Sequence, residues 1–226
     1  MLDPRLSLAF DLYPECRLAA DIGTDHAYLP AALLQRGRCQ RMILTDISPS
    51  ALENARRGIM QSCLSDRVTF ALDSGLSPLR EPCDAISVTG MGGRTIRQIL
   101  LSGRDRLMGA VLILSAHTDW PLIREAVMET GYRLDREEPC FDAGRFYLLL
   151  RAVPGREELT DQEIRLGKPL FSSASPVLLP FLRRRREVLL CTLNGLRSSV
   201  HPDEARNALL LEDLAFYDRK IKELEA

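Results

Sequence analysis

The stretch LAADIGTDHAYLP, residues 18–30, decides the fold: an apolar run, an acid at Asp21, and then Gly23 where a strand hands over to a helix. In open α/β sheets that junction binds nucleotides, because a glycine turn lets a ligand reach the backbone and the next helix presents unpaired N–H groups. Only the first position of a G-x-G-x-x-G pattern is met here, and Asp25 and His26 stand in the turn instead of further glycines. A pyrophosphate needs uncovered amides and is repelled by carboxylates, so Asp21 and Asp25 argue against a dinucleotide and suit a ligand that carries positive charge. The alternative role for Asp25 is to cap the helix that begins near Ala27.

Outward from this junction, short β-rich runs alternate with helical patterns from residue 16 to about 152. The expected strands are CRLAADI, RMILTD, RVTFAL, DAISVTG, AVLILSA, YRLDREE and RFYLLLRA. The first, fourth and fifth are nearly continuous in apolar residues, as strands buried on both faces of a parallel sheet should be. Helical spacing marks AYLPAALLQRG, SPSALENARRGIMQSCL, GRTIRQILLSG and DWPLIREAVMETG; Ser48 and Pro49 form an N-cap and first-turn pair, and Gly131 supplies a C-cap. Only the turn-like PCFDAGR separates the last two strands, which predicts an antiparallel hairpin. Five parallel strands closed by such a hairpin make the class I methyltransferase version of the Rossmann-like α/β sheet. After VPGREELT the pattern turns wholly helical: residues 176–198 and 202–226 carry leucines at helical spacing, with SSVHPDE as the break and Pro202 near the first turn of the second helix. The expected division is therefore 1–154, the cofactor-binding sheet domain, and 155–226, a small helical hairpin domain that packs on the sheet or projects from it.

The same sheet order nominates further residues. Asp46 ends the second strand, 20 to 25 residues past the glycine turn, where an acid accepts hydrogen bonds from a ribose diol, and Ile47 follows it. Asp73 and Ser74 follow strand three, where an acid accepts from an adenine amino group and turn chemistry is the competing account. The fourth strand runs into VTGMGGRTI; Gly90, Met91, Gly92 and Gly93 put three glycines within four residues at a carboxyl strand end, a sign of close approach by ligand or substrate. S-adenosylmethionine, with a sulfonium, an ammonium and a carboxylate, uses both the acids and the helix N-terminus. His26 beside the turn is placed to orient or polarise substrate, or to be a surface hydrogen-bonding group. His117 in LSAHTDW faces the cleft, with Thr118 or Asp119 capping the next helix as the plain alternative. The run RRRR at 183–186 turns about 100° per residue, so its members point around the helix; a phosphate contact and a solvated or snorkelling face are both compatible with it.

Read together, ADIGTDHAYLP, TDISPSALENARRGI, SDRVTFALDSGL and VTGMGG resemble the TrmK-type bacterial tRNA adenine-N1-methyltransferases. The likeness is specific from about residue 18 to 98, recognisable to 150 through DAGRFY, and weak beyond PFL at 180–182. It implies an S-adenosylmethionine-dependent enzyme with a Rossmann-like domain and a helical, coiled-coil-like domain, which methylates N1 of adenine 22 in tRNA. It implies that Asp21, Gly23, Asp25 and His26 form the first cofactor motif, Asp46 the ribose-side acid, and Gly90 to Gly93 the turn beside the transferred methyl. Two departures stand out. After strand three the chain reads D-S-G-L where the family usually has S-D-G-L or G-D-G-L, and after strand five it reads LSAHTD where the family usually has L-Q-P-N. The alternatives left open are a methyltransferase of another RNA or a small molecule, a binding module without turnover, and a nicotinamide dehydrogenase.

Composition limits the rest. With 46% hydrophobic and 27% charged residues among 226, the chain has enough apolar content for one substantial core, and no apolar run approaches the roughly 18 residues of a membrane span. The segment MLDPRLSLAFDLYPE has no long apolar region of the signal-peptide kind, so a cytoplasmic location is expected. The six cysteines show no metal spacing and read as reduced, small hydrophobes; no metal is expected. A net charge of −1 gives no global attraction for nucleic acid, so tRNA must be held by a local patch. No obligatory protein partner is inferred, and a monomer is compatible with the sequence.

Overall fold

The computed structural model describes residues 2–198 and 203–226; Pro202, expected in the first turn of the last helix, lies outside them. Its strands are β1 (Cys16–Ile22), β2 (Cys39–Asp46), β3 (Val68–Leu72), β4 (Ala85–Met91), β5 (Val111–Ala116), β6 (Tyr132–Asp142) and β7 (Arg145–Pro154). The helices are α1 (Pro4–Leu12), α2 (Tyr28–Gln35), α3 (Pro49–Gln61), α4 (Gly93–Ser102), α5 (Trp120–Glu129), α6 (Asp161–Leu166), α7 (Leu178–Arg197) and α8 (Glu204–Glu225). One seven-stranded sheet runs in the order β3-β2-β1-β4-β5-β7-β6, with β7 antiparallel to both neighbours and the other pairings parallel. The order reverses between β1 and β4. That switch point opens a crevice at the carboxyl strand ends, where the junction after Ile22 and the turn after Thr89 meet.

Burial explains the two-sided apolar strands. Ala19, Ala85 and Ile113 pack toward α1, α2 and α3, while Leu18, Ala20, Ile86, Val88, Leu112 and Leu114 pack toward α4 and α5. The hairpin is tighter than PCFDAGR suggested. Cys140, Phe141 and Asp142 continue the ladder opposite Tyr147, Phe146 and Arg145, so the turn is only Ala143 and Gly144, both at positive φ. Pro139 is tolerated because β6 is an edge strand.

Two helices lay outside the sequence expectation. In α1, the Asp3 carboxylate accepts from the Leu6 N–H at 2.7 Å and Pro4 opens the first turn; in α6, Thr160 and Glu163 form a reciprocal capping box. Beyond Pro154 the chain has no further strand among the described residues, and α7 and α8 form the expected hairpin. Its base does not carry a core of its own. Leu178, Phe181, Leu182, Tyr217 and Ile221 join the same apolar cluster as the α4 and α5 side of the sheet. A buried ion pair reinforces the joint: the Arg124 Nε donates to Glu137 at 2.6 Å, Arg124 also donates to the Ile164 carbonyl, and Glu137 accepts from the Leu170 N–H.

All six cysteines are free. Cys16, Cys39, Cys83 and Cys140 are buried as expected, whereas Cys63 and Cys191 are exposed.

Candidate functional site

Two cavities meet at the carboxyl ends of β1 and β4. One, about 200 Å³, is lined by Gly23, Thr45, Asp46, Ile47, Asp73, Ser74 and Met91 among others. The second, about 340 Å³, is lined by Arg5, Asp21, Gly23, Asp25, His26, Tyr28 and Gly90 among others. Gly23 belongs to both. The sheet thus brings together every site residue the sequence nominated on β1, β2, β3 and β4 except Gly92 and Gly93, which stand at the start of α4 just beyond.

In the first cavity, Asp46 uses Oδ1 to accept from the Ser48 N–H at 2.7 Å, while Ser48 itself caps α3. Asp46 therefore does not cap α3, and its Oδ2 has no hydrogen bond among the described residues. Asp73 accepts from the Ser74 N–H at 2.7 Å, as turn chemistry requires, yet both still line the cavity opposite Asp46. Displacement of the acid by one residue in D-S-G-L does not remove it from the site. Ile47 is 74% exposed, an apolar side chain held open at the cavity edge. The Thr45 hydroxyl is buried there with no hydrogen-bond partner among the described residues.

In the second cavity, Asp21 is buried, and its carboxylate accepts the Ser87 hydroxyl proton while Tyr13 donates to Ser87 at 2.6 Å. Burial pushes the Asp21 carboxyl above the usual range, and the Ser87 hydrogen bond works against that rise. Asp25 does not cap α2: the cap residue is Ala27, in the left-handed region, with no side-chain cap. Asp25 instead accepts from Asn54 at 3.1 Å and lies 3.3 Å from His26, whose ring stacks on Tyr28. The Gly23 and Thr24 N–H groups both donate to the Thr45 carbonyl, so these two amides are committed to the sheet.

The glycines of VTGMGG divide by role. Gly90, at φ +78°, is the extra residue of a β-bulge, since Thr89 and Met91 pair with successive residues of β5. The bulge turns Met91 to the face of Ile86 and Val88, and its side chain crosses to Gly23. Gly93 is needed for packing, because a β-carbon there would stand 2.5 Å from the Asp119 carbonyl oxygen. Gly92 alone faces open space, so close ligand approach is needed to explain at most one of the three.

The wall after β5 departs from expectation. Asp119 stands at the N-cap of α5 in the left-handed region, but its side chain makes no cap hydrogen bond and accepts instead from its neighbour Thr118. His117 donates its N–H to the Met91 carbonyl at 3.2 Å and meets the Tyr147 ring edge-on. Arg5 lies over the other side of the scene, its guanidinium 5.4 Å from the Tyr147 ring and 4.0 Å from the space above Gly90. Arg5, Tyr13, Tyr28, Ser87 and Tyr147 were not nominated from sequence. The Asp3-Pro4 cap signal could have placed α1, and with it Arg5 and Tyr13; Ser87 and Tyr147 carry no local signal.

The arginines of the RRRR run are engaged within the chain. Arg183 pairs with Glu225, Arg184 with Glu187 and Arg186 with Asp218, while Arg185 lies over Trp120. Among the described residues no cluster of His, Cys, Asp and Glu could hold a metal, and no helix is long and apolar enough to cross a membrane.

Comparison with known proteins gives three findings. A methyltransferase domain family model matches residues 2–150. A Bacillus subtilis tRNA (adenine(22)-N(1))-methyltransferase is 30% identical over 190 residues, 83% of this chain and 77% of that protein. Among solved structures, a Streptococcus pneumoniae candidate tRNA (m1A22) methyltransferase in complex with S-adenosyl-L-methionine is 25% identical, with a TM-score of 0.85 over 98% of this chain and 100% of that one. The B. subtilis m1A22 tRNA methyltransferase structure, 24% identical, has a TM-score of 0.86 over 98% of this chain and 99% of that one, and shares the fold.

Proposed function

The chain belongs to the TrmK-type family of bacterial tRNA (adenine-N1)-methyltransferases, and from that membership and the geometry of its cleft we propose that it methylates N1 of adenine 22 in tRNA with S-adenosylmethionine as donor. The observation that carries this reading is the pair of cavities joined at Gly23. Asp46, whose Oδ2 has no hydrogen bond among the described residues, lines one of them, and the buried Asp21 carboxylate lines the other. Asp46 suits a ribose diol, Ile47 the face of an adenine, and Asp21 a cationic group. When bound, the donor supplies an electrophilic methyl group on a sulfonium.

The chain's own work is then mostly placement. Adenine N1 carries a free lone pair, so no residue must first remove a proton, and catalysis rests on orientation and on surroundings that tolerate the cation formed. Gly90 is outside the regular β4–β5 pairing, which frees its backbone polar groups to hold the exocyclic amine beside N1. Tyr147, His117 and Arg5 form the adjacent wall against which a flat base can lie. The target base must leave its stack or already be unpaired to reach this depth. The helical region 155–226 extends the surface available to a folded RNA, and an enzyme of tRNA works in the cytoplasm.

The test is incubation with methyl-labelled donor and unmodified tRNA, followed by nucleoside digestion. Label in 1-methyladenosine supports the reading; label in any other nucleoside, or transfer to small molecules with none to RNA, overturns it.

A further inference from the structure

Tyr13, Ser87 and Asp21 form a hydrogen-bonded chain inside an otherwise apolar region. Tyr13 is 2% exposed and Ser87 not at all, and they are flanked by Ala19, Ala85 and other buried aliphatics. A hydroxyl has one proton to give. The Tyr13 hydroxyl gives its proton to Ser87, Ser87 gives its own to Asp21, and the direction of donation along the chain is thereby fixed toward the carboxylate. The chain crosses three elements: Tyr13 at the end of α1, Ser87 on β4, and Asp21 on β1, directly opposite Ser87 in the sheet register. Its far end opens into the cavity shared by Gly23 and Gly90. Burying three polar groups costs stability that aliphatic residues would not, so the arrangement calls for a role at the open end.

We propose that Ser87 and Tyr13 are positioning residues that act through Asp21, fixing its carboxylate and holding it ionised to receive the cationic amino-acid end of the methyl donor. This rests on the donor reading above. Among the described residues no basic side chain hydrogen-bonds or pairs with Asp21. The ionisable groups facing it are Tyr13 from the end of α1, Asp46 from the end of β2, and, around the same cavity, Asp3 and Arg5 from the start of α1, Asp25 and His26 from the turn before α2, and Tyr28 from α2 itself. Asp46 opposes ionisation of Asp21, and burial opposes it more; the Ser87 hydroxyl favours it most, and the Thr24 side chain favours it to a lesser degree. Removing that hydroxyl raises the Asp21 pKa, so a donor that needs the carboxylate binds poorly until a higher pH is reached.

The experiment is calorimetric titration of S-adenosylmethionine from pH 5 to 9 into wild type, Ser87→Ala and Tyr13→Phe, with adenosine as a ligand that lacks the cationic tail. The expected result is an acid limb in affinity for the methyl donor that moves up by about one pH unit in Ser87→Ala, the scale of one hydrogen bond to a charged group, and by a smaller step in Tyr13→Phe. Above the limb the three proteins should agree within about threefold, and adenosine affinity should show no moving limb. Groups common to all three proteins cancel in the comparison, so only the displacement between variants is read. A uniform loss of affinity at every pH, unchanged profiles, or an equal displacement with adenosine would each overturn the inference. Failure of wild type to bind the methyl donor at any pH would overturn the donor reading instead. Melting temperatures without ligand separate misfolding from the effect, and Tyr13→Phe keeps the ring that fills the site.

Discussion

The ε-methyl of Met91 lies 1.9 Å from the point where a β-carbon on Gly23 would stand, so the two residues meet at the junction of the two cavities. Gly23 also has φ +77°. Gly23→Ala therefore meets two separate penalties, backbone strain of about 1–3 kcal/mol and displacement of the Met91 side chain. Combining it with Met91→Ala should recover the steric part and leave the strain. Urea denaturation of the two single variants and the double variant measures the coupling; strict additivity would show that the contact is not energetically significant.

Asp46→Asn retains an oxygen for the Ser48 N–H and loses the carboxylate charge. Stability should stay within about 0.5 kcal/mol of wild type. Affinity for S-adenosylmethionine should fall at least about tenfold, the scale of a hydrogen bond to a charged acceptor. Isothermal titration checks the second statement, and affinity within twofold of wild type would remove Asp46 from the ribose site.

Stability should also depend on pH through Asp21. Its pKa is raised in the folded chain, chiefly by burial, so the folded state holds a proton that the unfolded chain releases at lower pH. This group's contribution to stability is therefore greatest in acid and declines as pH rises from the ordinary aspartate range through the raised value. Asp21→Asn should flatten that part of the profile. Denaturation midpoints measured at half-unit steps test this; an Asp21→Asn profile parallel to wild type would contradict it.

Arg124 and Glu137 are 1% and 0% exposed, and together they tie α5 and β6 to the segment around Ile164 and Leu170. Glu137→Ala leaves a buried guanidinium uncompensated and should cost about 3–5 kcal/mol. Removing both charges with Arg124→Met and Glu137→Leu should cost less than Glu137→Ala alone. Chemical denaturation gives the comparison, and a double variant less stable than Glu137→Ala would show that the pair contributes more than mutual compensation.

Much of this was legible in the sequence for a physical reason: strands buried on both faces leave continuous apolar runs, and residues such as Asp21, Asp46 and Gly90 sit at fixed strand ends whatever the rest of the chain does. Local signals failed where tertiary contacts decide. Gly93 has a packing reason in the Asp119 carbonyl, and nothing near either residue in sequence announces the approach. The partners of the RRRR run, Glu225, Asp218 and Trp120 beside the local Glu187, come mostly from elements distant in sequence. Tyr13 and Ser87 are 74 residues apart, and only the pairing of β1 with β4 sets them in line with Asp21. The missed α1 differs, since Asp3 and Pro4 carried an ordinary cap and first-turn signal.

The central claim is that the cleft delivers one methyl group to one adenine. Primer extension on in vitro transcribed tRNA treated with enzyme and S-adenosylmethionine tests it most directly, because methylation at N1 blocks Watson–Crick pairing and stops reverse transcriptase. The account predicts a single enzyme-dependent stop at adenine 22, absent when that adenine is replaced by guanine and strongly reduced with Asp46→Asn. A stop at other adenines, or none with a protein that binds the donor, would contradict it.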